Sequence, residues 1–327
     1  MWIADSQANS LRTVSRLDPK TGEVKNFKLE GRRGMAKRSH GIAIDSKGIA
    51  WFNADGGLGK IDTKTEKVEW FDPPKNMMRV DGTLDVDLKG MVWASASDGA
   101  LRFDPVTSKF TEFKSLSPGY EGRTYGIAVD GEGNCWWAQM DYDKLGKSDI
   151  KTGKSLEVSL EPRAGWDENF TARDREIFKF AGADWNSAPP WSQGPRRLGA
   201  DKRNNLIWLA DWWGDNLVKI DIKSNKVLKY YQYPSTGYVG VYSTVIDKSG
   251  MVWINLTNAD RIARFDPKSE KWTTFMLPSI GTETRFIAVD DRKDPVEVWT
   301  PYWRTSRLAR IQFRTKGQTK EQLQAQR

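Results

Sequence analysis

Residues 38–71 read RSHGIAIDSKGIAWFNADGGLGKIDTKTEKVEWF, and this stretch contains the pattern that determines the fold. Short apolar runs such as 41–45 and 50–53 have the length and composition of β-strands. The segments between them, such as DSKG, supply the Asp and Gly that tight turns require. The stretch therefore predicts four short antiparallel strands joined by turns.

The same unit recurs along the chain. An apolar run ending in Asp, a Gly turn and an apolar-Trp pair return as LDVDLKGMVWASAS, GIAVDGEGNCWWAQMD, LGADKRNNLIWLADW, STVIDKSGMVWINLT and FIAVDDRKDPVEVWTPYW. The Trp that marks the second strand of each unit stands at 2, 51, 93, 137, 208, 253 and 299. Successive marks lie 42–49 residues apart except for one interval of 71, which predicts an insertion between Ser155 and Pro195.

A four-stranded sheet of about 45 residues cannot bury both faces alone, but copies packed around a common axis can. The sequence therefore predicts an all-β, seven-bladed β-propeller of four-stranded antiparallel blades over residues 1–313, followed by a polar tail, 314–327. The first unit begins at a second strand and the last ends after a third strand, so the closure blade is expected to be incomplete. This pattern suggests a numbering that starts about 20 residues late. The alternative is a six-bladed ring with residues 1–22 outside it.

Composition excludes several classes of protein. The 51 Lys and Arg against 43 Asp and Glu give a net charge of +8, but these charges are spread through the turns, which argues against a nucleic-acid partner. Apolar runs are too short for a spanning helix. One cysteine, Cys135, and one histidine, His40, exclude an intrachain disulfide and zinc sites built from several Cys or His. We expect a secreted or periplasmic monomer if an upstream signal was removed, and a cytoplasmic one otherwise.

Three positions in the repeat do not repeat in residue type. Five residues before each repeat Asp stand His40, Gly82, Tyr125, Arg196, Tyr242 and Arg285. Seven before it stand Arg38, Val80, Arg123, Gly194, Gly240 and Glu283, and four after each Trp stand Ser6, Asp55, Ser97, Asp141, Trp212, Thr257 and Trp303. Equivalent loops in a propeller meet on one face around the channel, so these positions predict a single asymmetric ligand site there. The alternative is that surface loops simply vary.

The repeat unit resembles that of the virginiamycin B lyase (streptogramin lyase) family of seven-bladed propellers, and the resemblance covers residues 1–313. It implies a catalytic histidine at His40 and an acidic residue at Asp55. It also implies a metal-linked Glu-x-His motif, whose Glu matches Glu283 but whose His position holds Arg285. Mg²⁺ is therefore a cofactor implied only by the resemblance, with an incomplete ligand motif.

The residues themselves suit an elimination next to a carbonyl group. Such a reaction needs a base for the α-proton and positive charge on the developing enolate. The candidate catalytic residues are His40, Asp55, Tyr125 and Tyr242. The candidate substrate-binding residues are Arg38, Arg123, Asp141, Arg196, Arg197, Trp212, Asn255, Glu283, Arg285 and Trp303.

Three functions remain open at this point. The first is a carbon–oxygen lyase acting on an anionic or ester- or carbonyl-bearing small molecule or saccharide at the channel mouth. The second is a propeller that binds a ligand without catalysis. The third is another propeller enzyme, such as a lactonase-type hydrolase or a polysaccharide lyase. Fold resemblance alone does not choose among them.

Overall fold

Seven antiparallel sheets form a ring in the computed structural model, which describes residues 1–4, 13–31, 34–35, 39–117, 124–180, 192–315, 317–319 and 321–322. Strands within each sheet follow chain order, so every sheet is a meander. The molecule is therefore a seven-bladed β-propeller, as the repeat predicted, and the six-bladed alternative is wrong. Blades 2–6 have four strands, whereas blades 1 and 7 have three among the described residues.

The strands are short, as their turn-bounded apolar runs require. Blade 1 comprises Trp2–Ala4, Thr13–Leu17 and Val24–Lys28, followed by a hairpin of Glu30–Gly31 and Gly34–Met35. Blade 2 comprises Ile42–Ile44, Ile49–Ala54, Gly57–Asp62 and Val68–Phe71, and blade 3 comprises Val80–Val86, Val92–Ala96, Gly99–Asp104 and Lys109–Lys114. Blade 4 comprises Thr124–Val129, Cys135–Gln139, Lys144–Asp149 and Lys154–Ser159.

The second half of the ring follows the same plan. Blade 5 comprises Pro195–Asp201, Leu206–Asp211, Asn216–Asp221 and Lys226–Gln232, and blade 6 comprises Val241–Ile246, Val252–Leu256, Arg261–Asp266 and Lys271–Met276. Blade 7 comprises Ala288–Asp290, Glu297–Tyr302 and Arg307–Ile311. Among the described residues, no helix has the length and apolarity needed to cross a membrane.

The repeat Asp and the repeat Trp are joined by a hydrogen bond in several blades. The indole of Trp253 donates to Asp247 at 2.8 Å, and that of Trp51 donates to Asp45 at 3.1 Å. In blade 4 the donor is Trp136, 2.9 Å from Asp130, whereas the sequence pattern places the repeat Trp at Trp137. The strand pairing agrees, because Trp136 lies opposite Ala128, two residues before the repeat Asp.

A second aspartate links each of three blades to its successor. Asp143, Asp215 and Asp260 lie between the second and third strands with left-handed φ angles of 48°, 53° and 50°. Their carboxylates accept backbone amides of the loop that leads into the inner strand of the next blade. The carboxylate of Asp143, for example, accepts the amides of Ser192, Gln193 and Gly194 at 2.6–3.0 Å. These contacts fix the height at which each inner strand begins.

The inner strands of blades 3–6 begin with a β-bulge. In blade 5, Pro195 pairs with Asp211 and Arg197 with Ala210, so Arg196 is an extra residue without a counterpart. The extra residues in blades 4 and 6 include Tyr125 and Tyr242. A bulge interrupts the alternation of side chains along a strand and turns one toward a new direction. Here it turns them toward the channel.

The long insertion joins the outer strand of blade 4 to the inner strand of blade 5. It contains a 3₁₀ turn, Asp167–Asn169, and an α-helix, Ala172–Phe180, whose start is capped by mutual hydrogen bonds between Thr171 and Asp174. The two ends of the insertion meet: the amide of Arg163 donates to Ser192 Oγ at 2.7 Å. The insertion thus leads directly into Arg196 and Arg197.

Candidate functional site

The bulged residues of blades 4, 5 and 6 converge on the channel. The hydroxyl groups of Tyr125 and Tyr242 hydrogen-bond to each other, and their rings meet edge-to-face with centres 5.9 Å apart. The guanidinium carbon of Arg196 lies 4.4 Å from the ring centre of Tyr125 and 5.2 Å from that of Tyr242. Three residues that the repeat predicted to face one channel mouth therefore form one contact group.

Arg197 extends this group to blades 7 and 3, and its neighbour Phe286 extends it to blade 2. Its guanidinium carbon lies 3.6 Å from the ring centre of Phe286 in the loop before blade 7, and its Nη1 donates to Thr83 Oγ1 of blade 3 at 3.1 Å. The ring of His40, just before blade 2, meets Phe286 edge-on at 5.5 Å. We call Tyr125, Arg196, Arg197, Trp212, Tyr242 and Phe286 the aromatic–arginine cluster. Blades 2 and 3 contribute His40 and Thr83 beside it.

The cluster is strongly electropositive. Arg196 and Arg197 are 8% and 3% exposed, and burial lowers the pKa of both guanidinium groups. Arginine nevertheless stays protonated in proteins. Stacking on aromatic faces compensates part of the cost of burying such a charge. Nε of Arg196 and Nε and Nη2 of Arg197 are buried without a hydrogen-bond partner.

The pKa values of the two tyrosines are shifted in opposite directions. Burial would raise the pKa of Tyr125, but the charges of Arg197 and Arg196 and the hydrogen bond with Tyr242 outweigh it, so the pKa lies below its usual 10. Burial, together with the neighbouring Tyr125, raises the pKa of Tyr242 to about 12. Tyr125 is therefore the member of the pair that loses its proton first, and either hydroxyl can donate the hydrogen bond while both are protonated.

Trp212 is the sixth member of the cluster, and its ring is in contact with three other side chains of the protein. The Arg196 guanidinium carbon lies 3.9 Å from its ring centre, and Trp213 stacks against it at 5.7 Å. Tyr242 meets it edge-on at 5.5 Å. Its part in the site is thus to support Arg196.

Three other predicted residues lie in turns or strands of blades 2, 4 and 6. Asp55 is exposed in the turn between the second and third strands of blade 2, with a φ of 50°, and Asp141 is half-buried in the corresponding turn of blade 4. Asn255 is fully buried in blade 6. Its side chain accepts the amide of Ser243 at 2.8 Å and donates to the carbonyl of Thr284 in the next blade. Asn53 makes the same kind of bridge from blade 2, which indicates that Asn255 holds neighbouring blades together.

Glu283, Arg285 and Trp303 form a separate contact group at blade 7. Glu283 accepts from Arg285 Nε at 3.0 Å and also pairs with Arg304, while the Arg285 guanidinium carbon lies 4.2 Å from the Trp303 ring centre. The carboxylate that the resemblance assigns to a metal is thus occupied by two arginines. No group of three acidic, His or Cys side chains in the described ranges could hold a metal ion, so the residues here do not fit the implied Mg²⁺ site.

Two predicted substrate-binding residues, Arg38 and Arg123, lie outside the described residues. Two contributors were missed: Thr83 and Phe286. Both stand four residues before a repeat Asp, in the position that holds Arg197 in blade 5. This position also varies between blades, and that variation is the signal that could have found them.

Comparison with known proteins bears on the fold. No family model and no curated protein sequence matches the chain. Among solved structures, virginiamycin B lyase from Staphylococcus aureus has a TM-score of 0.69 at 16% identity, covering 89% of this chain and 85% of that one. Its catalytically inactive histidine-to-alanine variant with quinupristin has a TM-score of 0.65 at 17% identity, covering 84% and 80%. A protein from Lactobacillus plantarum has a TM-score of 0.64 at 12% identity, covering 95% and 94%. The chain therefore shares the propeller fold of virginiamycin B lyase, as the sequence resemblance implied.

Proposed function

We propose that this protein is a carbon–oxygen lyase that acts by elimination on a carbonyl-bearing small molecule or saccharide bound at the aromatic–arginine cluster. The observation that supports this most directly is the lowered pKa of Tyr125, whose ring centre lies within 5 Å of the guanidinium carbons of Arg196 and Arg197. A base beside concentrated positive charge is what removal of an α-proton requires.

In the first step, the substrate carbonyl group binds to the free N–H groups of Arg196 and Arg197. The phenolate of Tyr125 takes the proton from the α-carbon, and the electron pair of the broken C–H bond moves into an enolate. The two guanidinium groups stabilise the oxygen on which this negative charge develops, because they are fixed in place and shielded from water. Tyr242, which keeps its proton, donates to the Tyr125 oxygen and stabilises its ionised form.

In the second step, the enolate collapses to a carbon–carbon double bond and the bond between the β-carbon and the leaving oxygen breaks. The leaving oxygen takes up one proton, which we assign to His40, the imidazole across the ring of Phe286. One proton removed and one returned balance the reaction without water. Virginiamycin B lyase has the same fold, so this fold is compatible with lyase activity. No step is assigned to a metal, since Glu283 already pairs with Arg285 and Arg304.

The test is a panel of compounds with an acidic α-hydrogen and a β-oxygen leaving group, including quinupristin and 4-linked uronate disaccharides. Elimination creates a conjugated double bond, so product formation is followed by ultraviolet absorbance and mass spectrometry. We expect turnover that is lost in Tyr125→Phe and kept in Arg264→Gln. Arg264 is a matched control because it also lies against an indole, that of Trp253 at 5.7 Å, but in the third strand of blade 6.

Two results would contradict a lyase. Products that carry the mass of one added water and no new absorbance identify a hydrolase. Binding measured by calorimetry without any product identifies a ligand-binding propeller.

A further inference from the structure

We infer that the physiological substrate is a carboxylic acid, bound as its anion, rather than a neutral ester or amide. This inference rests on the proposed function and specifies the substrate class of the same site. It starts from the charge balance of the cluster. Within the described ranges, no carboxylate pairs with Arg196 or Arg197, although both are buried.

An arginine elsewhere on the ring shows the contrast. Arg285 also stands five residues before a repeat Asp, yet it pairs with Glu283. Its positive charge is therefore compensated within the protein. Arg196 and Arg197 have no such paired carboxylate among the residues that the structure describes.

A buried charge without a counter-ion is costly, and stacking on aromatic rings recovers only part of this cost. Three buried N–H-bearing nitrogens, Nε of Arg196 and Nε and Nη2 of Arg197, make no hydrogen bond of standard geometry, although Tyr125 also interacts with Arg197. Buried polar groups in native proteins are nearly always hydrogen-bonded, so orphaned donors indicate a missing partner. A ligand that brings acceptor oxygens and negative charge satisfies both requirements at once.

A neutral ester satisfies only one of them. Its carbonyl oxygen accepts hydrogen bonds but leaves two positive charges buried. Ionised Tyr125 compensates one of these charges, and the second still needs an anion. A carboxylate supplies that charge on two oxygens in a plane, which matches the planar fork of a guanidinium group.

The chemistry of elimination leads to the same substrate class. Removing a proton next to a carboxylate places a second negative charge on a group that already has one, so this proton is harder to remove than one next to an ester. Two fixed guanidinium groups supply the compensation that this harder reaction demands.

The experiment compares matched pairs of acids and methyl esters: benzoate, galacturonate and 4-linked digalacturonate with their methyl esters. Binding to the full chain is measured by calorimetry and by the shift of the melting temperature. We expect the acids to bind at least tenfold more tightly than their esters. We expect Arg197→Gln to remove this preference, Arg197→Lys to restore part of it, and Arg264→Gln to leave it unchanged.

The inference is overturned if esters bind as tightly as acids, if Arg197→Gln binds the acids as tightly as the native chain, or if neither set binds. Circular dichroism checks that each variant is folded. The two proposals fail in different ways. Acid binding without elimination contradicts the lyase and leaves the anion site standing, whereas elimination from esters alone contradicts the anion site and leaves the lyase standing.

Discussion

The hydroxyl groups of Tyr125 and Tyr242, 117 residues apart in sequence, share a hydrogen bond across the channel. The arginines lower the pKa of Tyr125 despite its burial, while burial raises that of Tyr242 to about 12. The pKa values of the two tyrosines are thereby shifted in opposite directions, although both are the same residue type in equivalent positions of two blades.

This asymmetry predicts the pH dependence of catalysis. In the proposed mechanism the phenolate of Tyr125 is the base, so kcat should rise with pH through the pKa of Tyr125. Tyr242→Phe removes the hydrogen bond that favours the phenolate, so this limb should move to higher pH by about one unit. Tyr125→Phe should abolish turnover. Initial rates across the alkaline range provide the measurement, and an unchanged limb in Tyr242→Phe would refute the assignment of the base.

Blade 5 packs so closely against Gly126 of blade 4 that a side chain at this position would clash with it. A Cβ on Gly126 would lie 2.5 Å from the Arg196 carbonyl oxygen and 2.5 Å from Arg197 Cα. Gly126→Ala should therefore push the two arginines away from the tyrosines, lower the free energy of unfolding by about 2–3 kcal/mol and weaken anion binding. Gly237→Ala is the control, since nothing lies within 4 Å of its Cβ position. Equal stability of the two variants in urea titrations would contradict this packing.

The pKa values of Asp143 and Asp260 are shifted in opposite directions, so we expect their contributions to stability to change with pH in opposite directions. Burial raises the pKa of Asp143 to about 6, although the amides of Gly194, Gln193 and Ser192 oppose it. Between about pH 4 and 6 the native state thus holds a proton that the unfolded chain has lost. The contribution of Asp143 to stability therefore falls as pH rises, by at most roughly 3 kcal/mol.

Asp260 accepts equivalent amides, but its hydrogen bonds with Thr282 outweigh burial and lower its pKa. Its contribution is present above the unfolded pKa near 4 and is lost as the solution becomes more acidic. Urea titrations between pH 3 and 7 should show a smaller loss of stability with rising pH in Asp143→Asn, and a smaller loss with falling pH in Asp260→Asn. The same change of slope in both variants would show that these pKa directions are wrong.

Arg310 joins the last blade to the first. It donates to the carbonyl of Pro19 at 2.9 Å and pairs with the buried carboxylate of Glu297 at 2.7 Å. Arg310→Ala should destabilise the protein by about 2–3 kcal/mol, because it opens this contact and removes a partner of a buried charge. Arg292→Ala removes an ion pair with Asp290 in the same blade, but the Arg292 side chain is 89% exposed. That variant should lose no more than about 0.5 kcal/mol in thermal unfolding. Matching losses would mean that Arg310 does not hold the ring closed.

The ring was predictable because its signals are local. Turns such as Asp87–Gly90 need particular residues at particular positions, and they recur with the period of a blade. Consecutive tryptophans gave no such guidance in blade 4. Both Trp136 and Trp137 are fully buried, and only the register with Ala128 and the hydrogen bond to Asp130 show which of them occupies the repeat position.

The site was predictable in part. The variable position five residues before each repeat Asp predicted that Tyr125, Arg196 and Tyr242 lie near each other, since equivalent positions in a closed ring point to the axis at the same height. Phe286 was missed because the position four residues before the repeat Asp was considered only in blade 5, where it holds Arg197. The roles of Asp143 and Asn255 as links between blades depend on partners in the next blade, which no local pattern identifies.

The extra residue at the start of the inner strands has a consequence for how such a site changes over time. In a regular strand each side chain must suit the sheet on one side or the other. A bulged residue lies outside that alternation, so blade 3 carries Gly82 and blade 5 carries Arg196 within sheets of the same four-stranded design. Glycine, tyrosine and arginine therefore stand at these places in blades that share one strand plan. A propeller built in this way varies the side chains at its channel through a handful of positions, while its scaffold stays the same.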